Sequence, residues 1–221
     1  MRSRRGFRHV KSMILSDEKR PMTIRIGLFR GIKVIGIPRD NVQLQLGLWE
    51  HETYSYIRRA AAAARWVIDI GAGNGELSIF FKLRTAVGPI IAIEPWNIDH
   101  LQENIDLNGV SGITALGQFL GLGPDHMMLD ALPVPRREQG FIKLDADFAE
   151  LGILQSGEQL LVEGKPLLLV ETHSAALERD CSAYLVRLGY CVEIIPNAWW
   201  RTIIPEQRPI DHNRWLWAEP A

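Results

Sequence analysis

The sequence is poor in cysteine: Cys181 and Cys191 are the only two among its 221 residues. Two thiols cannot supply the dense disulfide framework of a small secreted domain, and neither has other metal ligands around it at a characteristic spacing. We therefore expect both to be free, buried thiols in a reducing compartment. This cysteine usage predicts a cytoplasmic protein.

Long apolar runs and an excess of one charge are also missing. No apolar stretch approaches the roughly 18 residues that a membrane-spanning helix needs. The chain has 25 Lys and Arg against 26 Asp and Glu, a formal net charge of -1, so its overall field favours neither nucleic acid nor an anionic membrane as a partner. With 47% hydrophobic and 23% charged residues, the composition is that of a soluble globular protein with one well-buried domain.

The N-terminal region differs from the rest in its charge. In charge, its basic side chains outweigh the acidic Asp17 and Glu18. The basic residues are Arg2, Arg4, Arg5, Arg8, Lys11, Lys19 and Arg20. The apolar core of a secretory signal does not follow them. We expect residues 1–22 to form a basic, flexible tail, with an Arg-rich targeting segment or a phosphate-contacting arm as alternatives.

Residues 23–65 predict a hairpin followed by a helix. Apolar residues alternate from Thr23 to Phe29 and from Ile32 to Ile37 on either side of a glycine turn, which is typical of two paired strands. Residues 44–64 then predict a helix with a break near Gly47.

Residues 66–221 predict the main domain. Strand-like segments at 66–70, 90–94, 113–116, 141–145 and 165–171 alternate with segments of helical periodicity, such as 98–108, 149–161 and 175–188. Such alternation favours an α/β fold with a parallel sheet covered on both faces. The segments 192–195 and 215–217 predict an antiparallel hairpin at one edge.

The most informative stretch runs from Trp66 to Ser78. It predicts a strand, a tight loop with three glycines, and the first turn of a helix. Backbone N–H groups at such a helix start carry the positive end of the helix dipole, and glycines let a ligand approach the chain closely. A dinucleotide fingerprint needs a third glycine where this chain has Glu76, which argues against a nicotinamide cofactor.

The pattern Asp69-Ile70-Gly71-Ala72-Gly73-Asn74-Gly75 resembles the first motif of class I S-adenosylmethionine-dependent methyltransferases. The resemblance implies a Rossmann-like fold, S-adenosyl-L-methionine as cofactor, and a loop that holds the amino-acid end of that cofactor. It also implies an acidic residue at the end of the next strand that binds both ribose hydroxyls. Glu94 ends that strand, and its two carboxylate oxygens can accept from two neighbouring hydroxyls. Pro95, Trp96 and Gln118 complete the predicted cofactor site, with Trp96 as a wall for adenine.

A second resemblance narrows the family. The stretch 141–150, with Leu154, Gly157 and then 165–171, resembles the FkbM-type methyltransferase pattern I-K-x-D-x-E-G-x-E followed by a helix and P-x-x-x-x-E. Members are mostly O-methyltransferases, which implies a hydroxylated small molecule, such as a sugar or a polyketide, as methyl acceptor. The chain departs from the pattern at Asp147-Phe148, where the family has Glu-Gly, and at Gly73, where it has Asn.

Methyl transfer to a hydroxyl requires alignment and a general base. The candidates for the base are Asp145, Asp147 and His173, of which histidine has the most suitable intrinsic pKa. Each also has an alternative interpretation: Asp147 as an N-cap with Glu150 as its capping-box partner, Asp145 as a strand-end residue that only orders the cofactor or caps a neighbouring loop, and His173 as a surface residue before a helix. Together with Glu171 these three could instead hold a divalent cation. Their spacing is not a specific metal signature, so we expect no metal.

Three segments leave alternatives open. Residues 50–54 form either a solvated helix face or a lid over the cofactor loop. Phe148 indicates either a reshaped acceptor pocket or a binding module whose acceptor site has lost turnover, and a nitrogen acceptor is a further possibility. The tryptophans near the C-terminus either pack in the core or stack on a ligand, with Trp199-Trp200 as the pair expected to face it because adjacent strand residues point to opposite sides.

Overall fold

A computed structural model describes residues 17–202 and 212–221 of the chain. Its strands are β1 Arg20–Thr23, β2 Lys33–Gly36, β3 Trp66–Ile70, β4 Ile90–Ile93, β5 Ile113–Leu116, β6 Gly140–Leu144, β7 Leu167–Thr172, β8 Tyr190–Ile195 and β9 Arg214–Pro220. Its α-helices are α1 Val42–Gln45, α2 Tyr54–Ala63, α3 Glu76–Arg84, α4 Ile98–Leu107, α5 Glu150–Ser156, α6 Glu158–Gly164 and α7 Ala175–Arg187. Short 3-10 turns are His51–Thr53, Leu129–Ala131 and Trp199–Thr202.

The main sheet has the strand order β5-β4-β3-β6-β7-β9-β8. The first five strands in this order are parallel, whereas β9 runs antiparallel to both β7 and β8. In the central register Ile68 lies opposite Ile91 on one side and Ile142 on the other. This arrangement confirms the α/β class and the antiparallel edge hairpin that the sequence predicts.

The central strands are buried on both faces. In β3, Val67 packs into a core with Phe81 and Phe141, while Ile68 packs into a second core with Leu154. Successive strand residues point to opposite faces, so the two cores lie on either side of the sheet. Helix α3 covers the first face, and helices α5, α6 and α7 contribute to the second. The near-continuous apolar runs of these strands follow from this double burial.

The N-terminal hairpin is present, with shifted bounds. Strand β1 begins at Arg20 and ends at Thr23, so it lies earlier than the predicted strand and shortens the predicted tail, most of which falls outside the described residues. Residues 24–31 belong to the connection between β1 and β2 instead of a strand. Ile24 and Phe29 in this connection are buried, at 1% and 4% exposure. The side-chain amides of Asn104 on α4 and of Asn108, directly after α4, hydrogen bond the backbone of β2, which fixes the hairpin to the main domain.

Two predicted helices are divided. The predicted helix 44–64 is α1, a 3-10 turn and α2, with a break at Gly47, where φ is +64° and the backbone lies against Gly27. The predicted helix 149–161 is α5 and α6, which meet at Gly157. A Cβ at Gly157 would lie 2.5 Å from the side chain of Leu129, so a contact distant in sequence sets this division.

The C-terminal predictions are corrected in two places, and one of the alternatives for the tryptophans is confirmed. Trp199 and Trp200 belong to a 3-10 turn and not to a strand, so the alternation argument for them is wrong. Trp215 and Trp217 are packed in the core at 0% and 1% exposure. Both cysteines are free, but Cys191 is exposed rather than buried. Among the helices of the described residues, none is both long enough and apolar enough to cross a membrane.

Candidate active site

The glycine loop joins β3 to α3 at the carboxyl end of the parallel strands, where ligands bind in open α/β sheets. Gly71 has φ +70°, and a Cβ there would lie 1.8 Å from the carbonyl oxygen of Asp145. Gly73 has φ +55°, but a Cβ there would meet no atom of the described chain within 4 Å. Gly71 therefore serves close packing of the loop on β6, whereas the open space at Gly73 is available to a ligand.

Glu94 fixes the other side of this loop. Its side chain follows β4 and is 8% exposed. One oxygen, Oε2, accepts from the N–H of Gly73 at 2.9 Å, and Oε1 accepts from the N–H groups of Trp96 and Asn97 at 3.1 and 3.2 Å. Each carboxylate oxygen has two lone pairs, so Oε2 can still accept a further hydrogen bond from a ligand.

A cavity of about 290 Å³ lies between this loop and the N-terminal segment. Its lining includes five of the predicted cofactor residues, and these are Asp69, Gly71, Ala72, Gly73 and Asn74. The other five are not among the residues that line it, and these are Gly75, Glu94, Pro95, Trp96 and Gln118. Trp96 is 78% exposed and packs edge to face against Phe119 with 5.1 Å between ring centroids. The structure thus brings the loop to the cavity and leaves the predicted adenine wall on the open surface.

Asp69 braces the loop from inside the sheet. Its carboxyl is fully buried, and Oδ2 accepts from the Ser78 hydroxyl at 2.7 Å. Burial raises the pKa of Asp69, and the positive charge of Lys143 together with the Ser78 hydrogen bond opposes that rise. The carboxyl thereby ties the end of β3 to the first turns of α3.

Lys143 is a site residue that our sequence analysis did not select. It is 7% exposed, and its Nζ donates to the carbonyl oxygen of Gly71 at 2.8 Å and pairs with Oδ2 of Asp145 at 3.3 Å. Burial opposes its charge, but Asp145, Asp69 and other nearby carboxylates outweigh burial and raise the pKa of Lys143 above its ordinary value. A single lysine inside an otherwise apolar strand was the available signal in the sequence.

Two further carboxyls line the cavity. Glu50 precedes a 3-10 turn with φ +47°, and burial, followed by the charge of Glu171, raises its pKa well above the usual range. Burial also raises the pKa of Glu76 to about 7. Among the described residues, Glu76 Oε2 is buried without a hydrogen-bond partner. The acidic cavity is suited to a positively charged ligand, which would favour the ionised forms of these two carboxyls.

The segment around Glu50 is not a solvated helix face. Trp49 and Glu50 line the cavity, and Glu52 forms an ion pair with Arg201 at 2.6 Å, in which the two side chains are 5% and 12% exposed. His51 packs edge to face against Trp200 with 4.9 Å between ring centroids. Trp49 and Glu50 thus line the same cavity as the glycine loop, and the lid interpretation stays a prediction.

His173 lies among four carboxylates at the end of β7. Its Nδ1 contacts Oε1 of Glu150, and its Nε2 faces three acids. The distances from Nε2 are 3.6 Å to Asp145 Oδ1, 3.2 Å to Asp147 Oδ1 and 3.4 Å to Glu171 Oε2. The histidine is 2% exposed, so it is not a surface residue. The structure thus brings all three predicted catalytic residues together.

This surrounding changes the expected proton chemistry of His173. Burial opposes protonation, but the contacts with Glu150 and Glu171 outweigh it and raise the pKa of His173 to about 10. An imidazole in this acidic surrounding is charged at neutral pH and has no site for another proton. Our preference for His173 as the base because of its intrinsic pKa is therefore not supported, and Asp145 and Asp147 are the better candidates.

The predicted capping box at α5 is wrong. The helix begins at Glu150 with Ala149 as its N-cap, and the Glu150 carboxylate accepts from the N–H of Phe148 at 3.2 Å while it contacts His173. Phe148 has φ +72°, is 62% exposed, and places its ring centroid 5.7 Å from that of His173. The positive φ gives a physical reason for glycine at this place in the pattern 141–150.

Comparison with solved structures identifies the fold. The methyltransferase FkbM from Methylobacillus flagellatus KT aligns with a TM-score of 0.57 and 22% sequence identity, over 70% of this chain and 43% of that chain. A precorrin-6y C5,15-methyltransferase from Geobacter metallireducens GS-15 aligns with a TM-score of 0.53 and 18% identity, over 76% and 88% of the two chains. An S-adenosylmethionine-dependent O-methyltransferase from Thermotoga maritima aligns with a TM-score of 0.53 and 14% identity, over 78% of this chain and 65% of that chain.

The chain has a Rossmann-like methyltransferase fold. It spans less than half of the FkbM structure's length. No protein-family model matches the sequence, and comparison with curated proteins gives no match. At identities of 22% and below, the shared feature is the fold, and it occurs here in proteins named for different methyl acceptors.

Proposed function

We propose that this protein is an S-adenosylmethionine-dependent methyltransferase of the FkbM type that methylates a hydroxyl of a small molecule. The observation that carries the proposal is the open cradle at Gly73. Its backbone faces free space in the cavity, and the carboxylate of Glu94 lies directly beside it. A glycine loop and an acid at the ends of adjacent parallel strands provide two things that a nucleoside cofactor requires: close backbone approach and an acceptor for a ribose hydroxyl.

The charge of the cavity supports this cofactor over an anionic dinucleotide. S-adenosylmethionine carries a sulfonium, an ammonium and one carboxylate, and therefore has a net positive charge. Glu50 and Glu76 line the cavity, and the buried Oε2 of Glu76 is available for a donor. The carboxyls of Glu50 and Glu76 are our candidates for binding the ammonium group of the cofactor, and the backbone N–H groups of the glycine loop would face the cofactor's own carboxylate.

The residues after β6 and β7 provide the proposed chemistry. The bound cofactor supplies an electrophilic methyl group on sulfur. Asp145 lines the cavity and also faces His173, so it connects the cofactor side to the acid cluster. Asp147, whose side chain is 67% exposed, is open to an acceptor and is positioned to take the hydroxyl proton as the oxygen forms its bond to carbon. The chain's main contribution is alignment of the acceptor oxygen with the methyl group.

The pattern in 141–171 supports the finer assignment to the FkbM type and to a hydroxyl acceptor. Its departure at Phe148 does not close the site, since Phe148 is mostly exposed and does not line the cavity. A methyl acceptor delivered from solvent can reach the exposed side of Asp147.

Calorimetry tests the cofactor assignment. We expect S-adenosylmethionine and S-adenosylhomocysteine to bind the wild type with micromolar affinity. Glu94→Gln replaces an acceptor oxygen by an amide donor and should weaken binding at least tenfold, about 1.4 kcal/mol. Glu163→Gln is the matched control, because that side chain is 54% exposed and pairs with Arg136. Absence of binding by the folded wild type, with and without divalent cations, would refute the assignment.

Transfer of a radiolabelled methyl group tests the acceptor class. Hydroxylated sugars and polyketides, amines and RNA are offered in parallel with the cofactor. We expect label on the oxygen of a small molecule. Label found on nitrogen or on RNA would overturn this part of the proposal and leave the cofactor assignment intact.

A further inference from the structure

The geometry points to a divalent transition-metal site of the Mn²⁺ or Zn²⁺ kind formed by Asp145, Glu171 and His173. One ligand atom from each of these residues lies within 4.8 Å of the other two. The three come from the ends of β6 and β7, which are adjacent and parallel in the sheet. Our expectation from the sequence was that no metal is held here, because the spacing along the chain is not specific. The fold creates the proximity that the spacing does not show.

The distances around His173 suit shared coordination better than hydrogen bonding. Among the described residues its Nε2 is buried and has no hydrogen-bond partner. Glu171 Oε2 and Asp145 Oδ1 lie 3.4 and 3.6 Å from it. Ligands at about 2.1 Å from one cation are separated by about 3.0 Å in an octahedron and about 3.4 Å in a tetrahedron. The observed separations are close to the edges of such a coordination shell.

The second ring nitrogen provides independent support. Nδ1 of His173 contacts the carboxylate of Glu150, which is fully buried. A histidine that binds a metal usually donates its other ring N–H to a carboxylate, because this contact fixes the tautomer and the ring orientation. A bound cation would displace the proton from Nε2, while the carboxylate of Glu150 holds the remaining proton on Nδ1, so Nε2 is the coordinating atom. Asp145 is oriented in a similar way, since its Oδ2 pairs with Lys143 and its Oδ1 faces His173.

The donor set also restricts the kind of cation. Two carboxylates suit Mg²⁺, Ca²⁺ and Mn²⁺, whereas an imidazole suits Zn²⁺, Fe²⁺ and similar ions, so their combination favours Mn²⁺ or Zn²⁺. Asp147 Oδ1 lies 3.2 Å from Nε2 and the Asp147 side chain is 67% exposed, so an oxygen from solvent can approach the cluster from this side. A dication would also balance the acidic groups gathered around one imidazole.

The role of this site rests on the proposed function. A cation bound here would coordinate the acceptor hydroxyl and lower the pKa of that hydroxyl. Its proton passes to Asp147, the oxygen's electron pair forms the bond to the methyl carbon, and the electrons of the broken carbon–sulfur bond remain on sulfur. The product is a methyl ether and a neutral thioether, so the step needs no further reactant.

Metal titration tests the site without any turnover. The untagged full chain is treated with chelator, and Mn²⁺ binding is followed by the loss of the free-ion electron paramagnetic resonance signal, with Zn²⁺ followed by calorimetry. We expect one ion per chain. His173→Gln should weaken binding at least tenfold, while His126→Gln, which alters an exposed histidine, should not. Glu171→Gln and the exposed control Asp180→Asn form a second matched pair.

The outcomes separate this inference from the proposed function. Binding that is lost in His173→Gln and Glu171→Gln but kept in both controls supports the site, provided that circular dichroism shows folded variants. No binding of either ion at millimolar concentration by folded wild type overturns it, as does wild-type affinity in folded His173→Gln. S-adenosylmethionine binding is measured on the same metal-free protein. Cofactor binding without metal binding refutes only the metal site, and metal binding without cofactor binding refutes only the methyltransferase assignment.

Discussion

Substitution of Gly73 by alanine separates the two uses of glycine in the loop. The added methyl group would meet no atom of the described chain within 4 Å, so no packing clash is expected. The cost to stability comes from φ +55°, which in an L-residue amounts to about 1–2 kcal/mol. Alanine also reduces the conformational freedom of the unfolded chain, which offsets about 0.4–1 kcal/mol of that cost. We therefore expect Gly73→Ala to lose about 1 kcal/mol, or about 2–4 °C in melting temperature.

The same methyl group should have a large effect on ligand binding. Gly73 lines the cavity, and the open space at its Cβ is where we place the cofactor. We expect at least a tenfold weaker affinity for S-adenosylmethionine, about 1.4 kcal/mol, by calorimetry on protein shown to be folded. Gly71→Ala is the contrasting variant. Its Cβ would lie 1.8 Å from a backbone oxygen of Asp145, so we expect a stability loss of about 3 kcal/mol or more.

Urea denaturation measures the stability of both variants, and calorimetry measures their affinity for the cofactor. The reasoning is refuted if Gly73→Ala binds the cofactor with wild-type affinity, since the cofactor then does not approach this position. It is equally refuted if the two variants lose the same stability. In that case left-handed backbone strain, which both positions share, would dominate over the contact that only Gly71 makes.

Three further predictions concern stability. Phe148→Gly should raise the free energy of unfolding by about 1 kcal/mol. Relief of the backbone strain at φ +72° outweighs the extra entropy of glycine in the unfolded chain, and the ring, which is 62% exposed, loses little packing. A lower melting temperature would contradict this. Lys143→Met should cost about 3–5 kcal/mol at pH 8, because it leaves Asp145, Asp69 and Glu50 uncompensated. The loss should be smaller at pH 5, because burial raises the pKa values of Asp69 and Glu50 and favours their neutral forms there. Equal losses in urea at both pH values would argue against it. Glu76 has a pKa raised from 4.5 to about 7, so the wild type should lose stability as the pH rises between these values, by up to about 3 kcal/mol, with no further change above. Glu76→Gln should remove this pH-dependent loss of stability. A pH profile of unfolding that is the same in the variant and the wild type would count against burial of Glu76 as its cause.

The sequence predicts the elements of this fold well where local pattern and burial coincide. Strand β4 and strand β5 lie within a residue of their predicted bounds, because a buried parallel strand is a short apolar run between polar turns. The prediction is less successful where contacts distant in sequence decide. The division between α5 and α6 depends on Leu129 against Gly157, and no local pattern contains that contact.

The candidate site shows the same contrast. The glycine loop and Glu94 can be selected from the sequence because each follows a short apolar strand, and their role in cofactor binding stays a prediction. The roles of Lys143 and Glu50 depend on partners far along the chain: Nζ of Lys143 bonds a carbonyl 72 residues earlier, and Glu50 enters the cavity from the N-terminal segment. His173 was selected for its intrinsic pKa, but the carboxylates that surround it in the fold reverse the inference.

Pairing of β3 with β6 connects the two halves of the site. Ile70 lies opposite Leu144 in the sheet, so the glycine loop and Asp145 emerge side by side. Gly71 allows the loop to lie against the backbone of Asp145, and Lys143 bonds both residues at once. Asp145 then faces His173 with its other oxygen. Because an in-line displacement depends on relative position, a fixed register between the cofactor loop and the acid cluster is the property that the proposed reaction needs most. A change at this strand pair should therefore affect turnover more than it affects cofactor affinity.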